Sequence, residues 1–121
     1  VMAKRKKKKH YIDNAKFEET IFNYLSNNSE YEAELIEQLD LLISSILISF
    51  KFKVEHEDAK QECFVLCLKV LKNFTKEKGS AFNYFTTVIV NNLKLIYTKN
   101  KKYREKIQQY RDKKIKAFLE D

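Results

Sequence analysis

Proline and tryptophan are absent from the 121 residues, and glycine occurs only once. All-β folds need turn residues about every 8–12 positions, and phosphate-binding loops need several glycines, so both are excluded. Hydrophobic residues make up 44% of the chain and charged residues 34%, a balance that favours a folded protein over a disordered one. The sequence therefore predicts an all-α protein.

Cysteine is also scarce, since Cys63 and Cys67 are the only two. On a helix they lie one turn apart and point the same way, which is a poor geometry for a disulfide. They form no CxxC pair, and His10 and His56 are far from them in sequence, so no zinc site is expected. We interpret them as reduced core thiols of a cytosolic chain.

Motifs that carry catalysis are missing as well. The chain has no Ser/His/Asp arrangement, no phosphate-binding loop and no HExxH. We predict that the protein is not an enzyme and that it uses no metal and no cofactor.

Long apolar stretches are absent too. The longest run, Leu41–Phe50, has ten residues and includes three serines, which is too short for a bilayer and suits a buried helix. The basic N-terminal run is not followed by an apolar stretch of signal-peptide type. We therefore expect neither secretion nor a membrane partner.

Positive charge is concentrated at the two ends of a chain whose net charge is +7. Residues 1–9 carry six positive and no negative side chains, and residues 94–121 carry ten positive and four negative ones. The middle is net acidic. Phosphate backbones are the usual partner of such basic ends, although solubility alone is the other explanation.

Hydrophobic spacing predicts four helices, followed by a basic segment. The predicted helices run from Asp13 or Asn14 to Ser26, from a capping box at Ser29–Glu32 to about Lys51, from Glu57 to Asn73, and from Ser80 through Ile96. The basic residues after Thr98 lie on the fourth helix or just past it, and a final helix can follow. The expected organisation is a flexible basic tail over 1–12, a compact helical domain over 13–98 and a basic helical extension over 99–121.

One stretch, Asp58–Leu93, carries a family resemblance. It reads DAKQECFVLCLKVLKNFTKEKGSAFNYFTTVIVNNL. Its pattern resembles the second conserved region of bacterial sigma factors of the sigma-70 family, which direct RNA polymerase to promoters. The matching residues, in register and without a gap, are Asp58, Gln61, Glu62, Phe74, Gly79, Phe82, Phe85 and Thr87.

The sequence departs from that family pattern at several positions. Cys63 replaces a glycine, Val88 and Ile89 stand where the family has two tryptophans, and Asn91 and Asn92 replace an arginine–glutamine pair. These changes bear on duplex opening and base stacking rather than on polymerase docking.

Because the chain is short, it resembles one group within this family in particular, the late-transcription sigma factors of tailed bacteriophages. There is no room for the C-terminal helix-turn-helix with which standard sigma factors read the upstream promoter element. Both the basic opening at Met2–Asn14 and the apolar–acidic end at Ala117–Asp121 look like the phage family. The resemblance implies a compact sigma region 2-like domain that acts in the cytoplasm of an infected bacterial cell. Its implied partners are host core RNA polymerase, promoter DNA and a phage DNA sliding clamp.

The resemblance, together with the chemistry of the asparagines and basic residues from Asn91 to Arg104, predicts three groups of site residues. The clamp helices of the largest polymerase subunit would meet an acidic and polar helix face by charge complementarity, and that face comprises Asp58, Gln61, Glu62 and Val65. The melted promoter would meet aromatic, polar and basic side chains: Phe74, Lys78, Phe82, Phe85, Thr87, Asn91, Asn92, Lys94, Lys99, Lys101, Lys102 and Arg104. The sliding clamp would take up two apolar side chains, Phe118 and Leu119.

Each group has a simpler explanation. The acidic face suits any solvated helix, Phe82 and Phe85 suit a helix core, the lysines suit a soluble surface, and the C-terminus suits a frayed end packed on its own domain.

The predicted function is a sigma-like subunit that binds core polymerase and opens a TATA-like minus-ten element for late transcription, coupled to a sliding clamp. The main alternative is a helical DNA- or polymerase-binding regulator that does not open promoters. A phage structural protein with basic tails is a third, weaker possibility.

Overall fold

The computed structural model describes residues 12–120, and within them it contains helices and turns but no strand. Most of the predicted tail 1–12, and Asp121, lie outside the described residues. The helices are α1 (Asn14–Ser26), α2 (Asn28–Ser49), α3 (His56–Val70) and α4 (Ala81–Glu120), with 3₁₀ turns at Leu71–Asn73 and Lys76–Lys78 between α3 and α4. The all-α prediction is confirmed.

A single extended residue, Asn27, separates α1 from α2. The carboxylate of Asp13 caps α1 by accepting a hydrogen bond from the Lys16 amide at 3.1 Å. Asn27 ends α1, and its amide donates to the Asn23 carbonyl at 2.8 Å. Because α2 already begins at Asn28, Ser29 lies inside its first turn, and the predicted capping box is wrong.

Gly79 and Ser80 together set the start of α4. Gly79 has φ +97°, a left-handed conformation that glycine adopts without strain. It ends the second 3₁₀ turn rather than α3 itself. The Ser80 hydroxyl accepts from the Asn83 backbone amide at 3.2 Å and so caps α4 at the predicted start of the helix. Glu18 of α1 also accepts from the Ala81 amide at 3.0 Å, so a carboxylate faces the positive end of the α4 dipole.

The core lies among α1, α2, α3 and the first half of α4. Phe17 of α1 meets Phe85 of α4 edge to face, with ring centroids 5.9 Å apart. The most deeply buried side chains come from all four helices and are Phe17, Ile21, Leu35, Leu39, Leu42, Ile43, Cys63, Cys67, Phe85, Ile89 and Leu93. The long apolar run of α2 therefore serves the core, and none of the helices within residues 12–120 is both long and apolar enough to cross a membrane.

α4 is one continuous helix of 40 residues. The two possibilities left open after Thr98 are thereby resolved, because no break separates the basic residues from the C-terminal segment. From Thr98 to Glu120 the side chains are exposed except for half-buried Ile107, so this half of the helix stands clear of the core. One helical turn apart, Lys114 lies over the Tyr110 ring at 5.5 Å, a contact that supports the exposed helix locally.

Candidate functional site

The outward face of α3 carries the acidic and polar side chains predicted to bind polymerase. Asp58, Gln61 and Glu62 are exposed, and Val65 is 50% exposed. Their spacing brings them onto one side of the helix. We call these four residues the α3 stripe. Glu55 caps the helix below them by accepting from the Asp58 amide at 2.7 Å, which leaves the Asp58 carboxylate free of that role.

The α3 stripe forms one wall of an open groove between α3 and α4, with a volume of about 470 Å³. Leu66 and Lys69 extend the wall along α3, and Asn92 contributes from α4. The groove is open to solvent, and its lining combines two carboxylates, one lysine and apolar surface.

Asn92 was predicted to contact DNA, and the structure corrects this. The residue is only 8% exposed, and its side-chain amide donates to the Cys63 sulfur at 3.5 Å. It faces α3 because it lies between the core positions Ile89 and Leu93 on the buried side of α4. Its neighbour Asn91 is exposed and remains available to a partner.

Phe74 and Phe85 are corrected in the same way. They are 2% and 0% exposed, so neither ring presents a face to an unpaired base. Phe74 packs against Phe22, Tyr84 and Phe85, with centroid separations of 5.7, 5.2 and 5.9 Å. The rings are buried because the turns between α3 and α4 fold Phe74 back onto the core side of α4.

The remaining predicted DNA contacts on and before α4 lie at the surface to different degrees. Phe82 is half-buried, whereas Lys78, Thr87 and Asn91 are exposed. The Lys78 ammonium lies 5.6 Å from the Tyr84 ring centroid, a cation–π contact that the sequence did not reveal. Thr87 and Asn91 are four residues apart and therefore share one face of α4.

Five basic residues follow on α4 towards the C-terminus. Three of them, Lys94, Lys101 and Lys102, share the face of Thr87 and Asn91 by helical spacing, whereas Lys99 and Arg104 lie on other sides of the helix. All five of them are exposed, and no ion pair within residues 12–120 involves them. They are Lys94, Lys99, Lys101, Lys102 and Arg104. Free exposed ammonium and guanidinium groups at this density are typical of phosphate binding.

The C-terminal end of α4 is fully solvent-facing. Phe118 is 81% exposed and Leu119 is 75% exposed, so the expectation of an end packed on its own domain is wrong for these residues. Ile115, one turn earlier, is 58% exposed and shares their side of the helix, although the sequence analysis did not name it. Three apolar side chains thus project together at the tip.

The two thiols lie beneath the groove, and both are free and buried. Burial raises the pKa of Cys67 to about 12, and the nearby Cys63 adds to the effect. Burial also raises the pKa of Cys63, although the hydrogen bond from Asn92 opposes this. Within residues 12–120 no group of His, Cys, Asp and Glu side chains could hold a metal ion.

Because a raised pKa keeps each thiol protonated and burial blocks access, neither cysteine should react with Ellman's reagent at pH 8 in the folded protein. Both should react fully in denaturant, which provides the control. Rapid labelling of the native chain would contradict the burial of this pair.

Comparison of the chain with models of known protein families, with curated proteins and with solved structures found no match.

Proposed function

We propose that this chain is a sigma-like promoter-specificity subunit for bacteriophage late transcription. It binds host core RNA polymerase, recognises and opens a TATA-like minus-ten element, and is coupled to a DNA sliding clamp. The observation that carries the proposal is the exposure of the α3 stripe beside a groove that runs to α4. The resemblance to sigma region 2 covers this same segment, which consists of α3, the connecting turns and the first part of α4.

Docking on polymerase is assigned to the α3 stripe. The carboxylates of Asp58 and Glu62 attract a basic coiled coil such as the clamp helices of the largest subunit, and Gln61 and Val65 add a hydrogen-bonding and an apolar contact. Neither carboxylate takes part in an ion pair within the described residues, so both are available to the partner.

Promoter engagement is assigned to the exposed side of α4. Thr87 and Asn91 can reach base edges, and the lysines that follow can contact phosphates. Phe82 is the only one of the three predicted stacking rings that retains partial exposure. Attachment to the sliding clamp is assigned to Phe118 and Leu119, two apolar side chains that a pocket on the clamp could bury.

A second candidate is a polymerase-binding regulator that does not itself open DNA. The burial of Phe74 and Phe85 favours it, because these rings cannot hold an unpaired base in this conformation. The two candidates differ in one measurement. An opening subunit initiates on a linear duplex promoter, whereas a regulator without this activity initiates only when the minus-ten element is already unpaired.

The docking assignment is tested with Asp58→Ala combined with Glu62→Ala. We expect the affinity for core polymerase to fall about tenfold or more, because two charges that face the partner are lost. Promoter-dependent transcription should fall in parallel. Fluorescence anisotropy of the labelled chain and a run-off assay measure the two effects.

The matched control removes the same charge from α2 through Glu32→Ala and Glu37→Ala, both at exposed positions. This control should bind and initiate like the unaltered protein. If the α3 variant behaves like the α2 control, the α3 stripe is not the docking surface.

A further inference from the structure

An aromatic cluster lies where the connection between α2 and α3 crosses α4. Phe52 in this connection packs on Tyr97 of α4 with ring centroids 4.7 Å apart and planes 31° apart. Phe50 meets Phe52 edge to face at 5.7 Å. We call Phe50, Phe52 and Tyr97 the Phe52 cluster.

Phe52 remains 47% exposed, although the same connection buries Val54 in the core. Val54 therefore anchors this connection in the core, whereas Phe52 contacts Tyr97 at the surface. Close to half of the Phe52 side chain remains accessible to a partner.

A cleft of about 230 Å³ opens beside the cluster, with Ile46 of α2 and Val90 of α4 among its walls. The charged side chains that line it are Lys51 and Lys94, and no carboxylate does so. The site thus combines apolar surface and aromatic rings with positive charge only. This combination is complementary to a base attached to a phosphate backbone.

The position of the cleft on α4 links it to the proposed DNA-facing side. Val90, Lys94, Tyr97 and Lys101 recur at helical spacing and follow one stripe of the helix. Lys94 is shared, because it lines the cleft and also belongs to the basic residues that follow Thr87 and Asn91. A strand lying along α4 would pass over the Phe52 cluster.

We infer that the Phe52 cluster is a stacking site for one unpaired base of a DNA strand, with Lys51 and Lys94 holding the flanking phosphates. A paired base has both faces covered by its neighbours, so the exposed ring discriminates in favour of unpaired DNA. The residues of the Phe52 cluster and its cleft are sufficient to argue that single-stranded DNA binds here. That this DNA is a melted promoter rests on the proposed function.

The absence of tryptophan from the chain makes a direct test possible. Phe52→Trp introduces a single tryptophan into the full-length protein, and this tryptophan can be excited selectively over the tyrosines. Its emission should be quenched when a 12-nucleotide single-stranded DNA binds at low salt, and the same sequence as a duplex should quench it far less. Ile48→Trp, at a position of α2 that is 80% exposed, is the control and should respond to neither.

Affinity provides the second measurement. Phe52→Ala should weaken binding of the single strand about tenfold while leaving duplex binding unchanged, and Phe52→Tyr should restore it because its ring also stacks. Because Phe52 is half-exposed, the circular dichroism spectrum of Phe52→Ala should match that of the unaltered chain.

Equal single-strand affinity of Phe52→Ala and the unaltered chain would overturn the inference, as would no detectable single-strand binding at low salt. Equal quenching by duplex and single strand, or an acidic peptide that quenches in place of DNA, would do the same. None of these measurements uses polymerase, so their failure is distinguishable from failure of docking or initiation.

Discussion

Replacing Phe85 with alanine is expected to lower the free energy of unfolding by about 3–5 kcal/mol, the usual cost of removing a buried phenyl ring. The ring is fully buried and lies within 6 Å of the Phe17, Phe74 and Tyr84 rings, centroid to centroid. Its removal leaves a cavity bordered by three aromatic side chains from α1, α4 and the connecting turn. The free energy of unfolding of a native protein is only about 5–15 kcal/mol in total, so this substitution would remove much of the stability.

Urea denaturation followed by circular dichroism measures this loss. Phe82→Ala, at a half-buried position on the same helix, should lower the free energy of unfolding clearly less than Phe85→Ala does. Phe118→Ala, at an 81% exposed position, should leave it almost unchanged. The series also separates core from contact roles for the predicted stacking residues. A Phe85→Ala protein as stable as Phe118→Ala would show that the ring is not a core residue.

Loss of the C-terminal tip is expected to abolish stimulation of transcription by the sliding clamp. Deletion of 117–121, or Phe118→Ala combined with Leu119→Ala, removes apolar side chains that make no contribution to the core. A few side chains that become fully buried commonly contribute most of the affinity of an interface. Binding to core polymerase should be unchanged, because the α3 stripe lies on a different helix.

The measurement is run-off transcription with and without the loaded clamp, alongside a polymerase-binding assay. Tyr110→Ala is the matched control, since Tyr110 is a 60% exposed aromatic residue on the same helix two turns earlier. Full clamp stimulation of the truncated protein would remove the assigned role of the tip.

The helices could be predicted from the sequence because their signals are local. Asp13 and Ser80 are short polar residues that cap from their own side chains, and Gly79 is the one residue free to adopt positive φ. The capping box at Ser29 could not be evaluated in this way. Whether Asn27 or Ser29 precedes the first turn of α2 depends on how α1 ends and packs against it, which is a tertiary effect.

The candidate site residues also separate into those that local sequence signals could place and those that depend on the tertiary fold. Helical spacing was sufficient to place the α3 stripe at the surface, because acidic side chains alternate with the buried positions Ala59 and Cys63. It was not sufficient for Phe74, whose burial depends on how two 3₁₀ turns direct the chain. Phe52 was missed for the complementary reason: its partner Tyr97 is 45 residues away in sequence, and only the fold brings the two rings together.

Because α4 is continuous, its exposed second half forms a rigid helical extension of the protein. At about 1.5 Å per residue, the helix separates the ring of Tyr97 from Phe118 by roughly 30 Å of stiff backbone. A stiff arm fixes direction as well as reach, since each residue added to it would turn the tip by about 100°. A partner bound at the tip is therefore held at a defined distance and in a defined direction from the groove between α3 and α4. A flexible linker would fix neither.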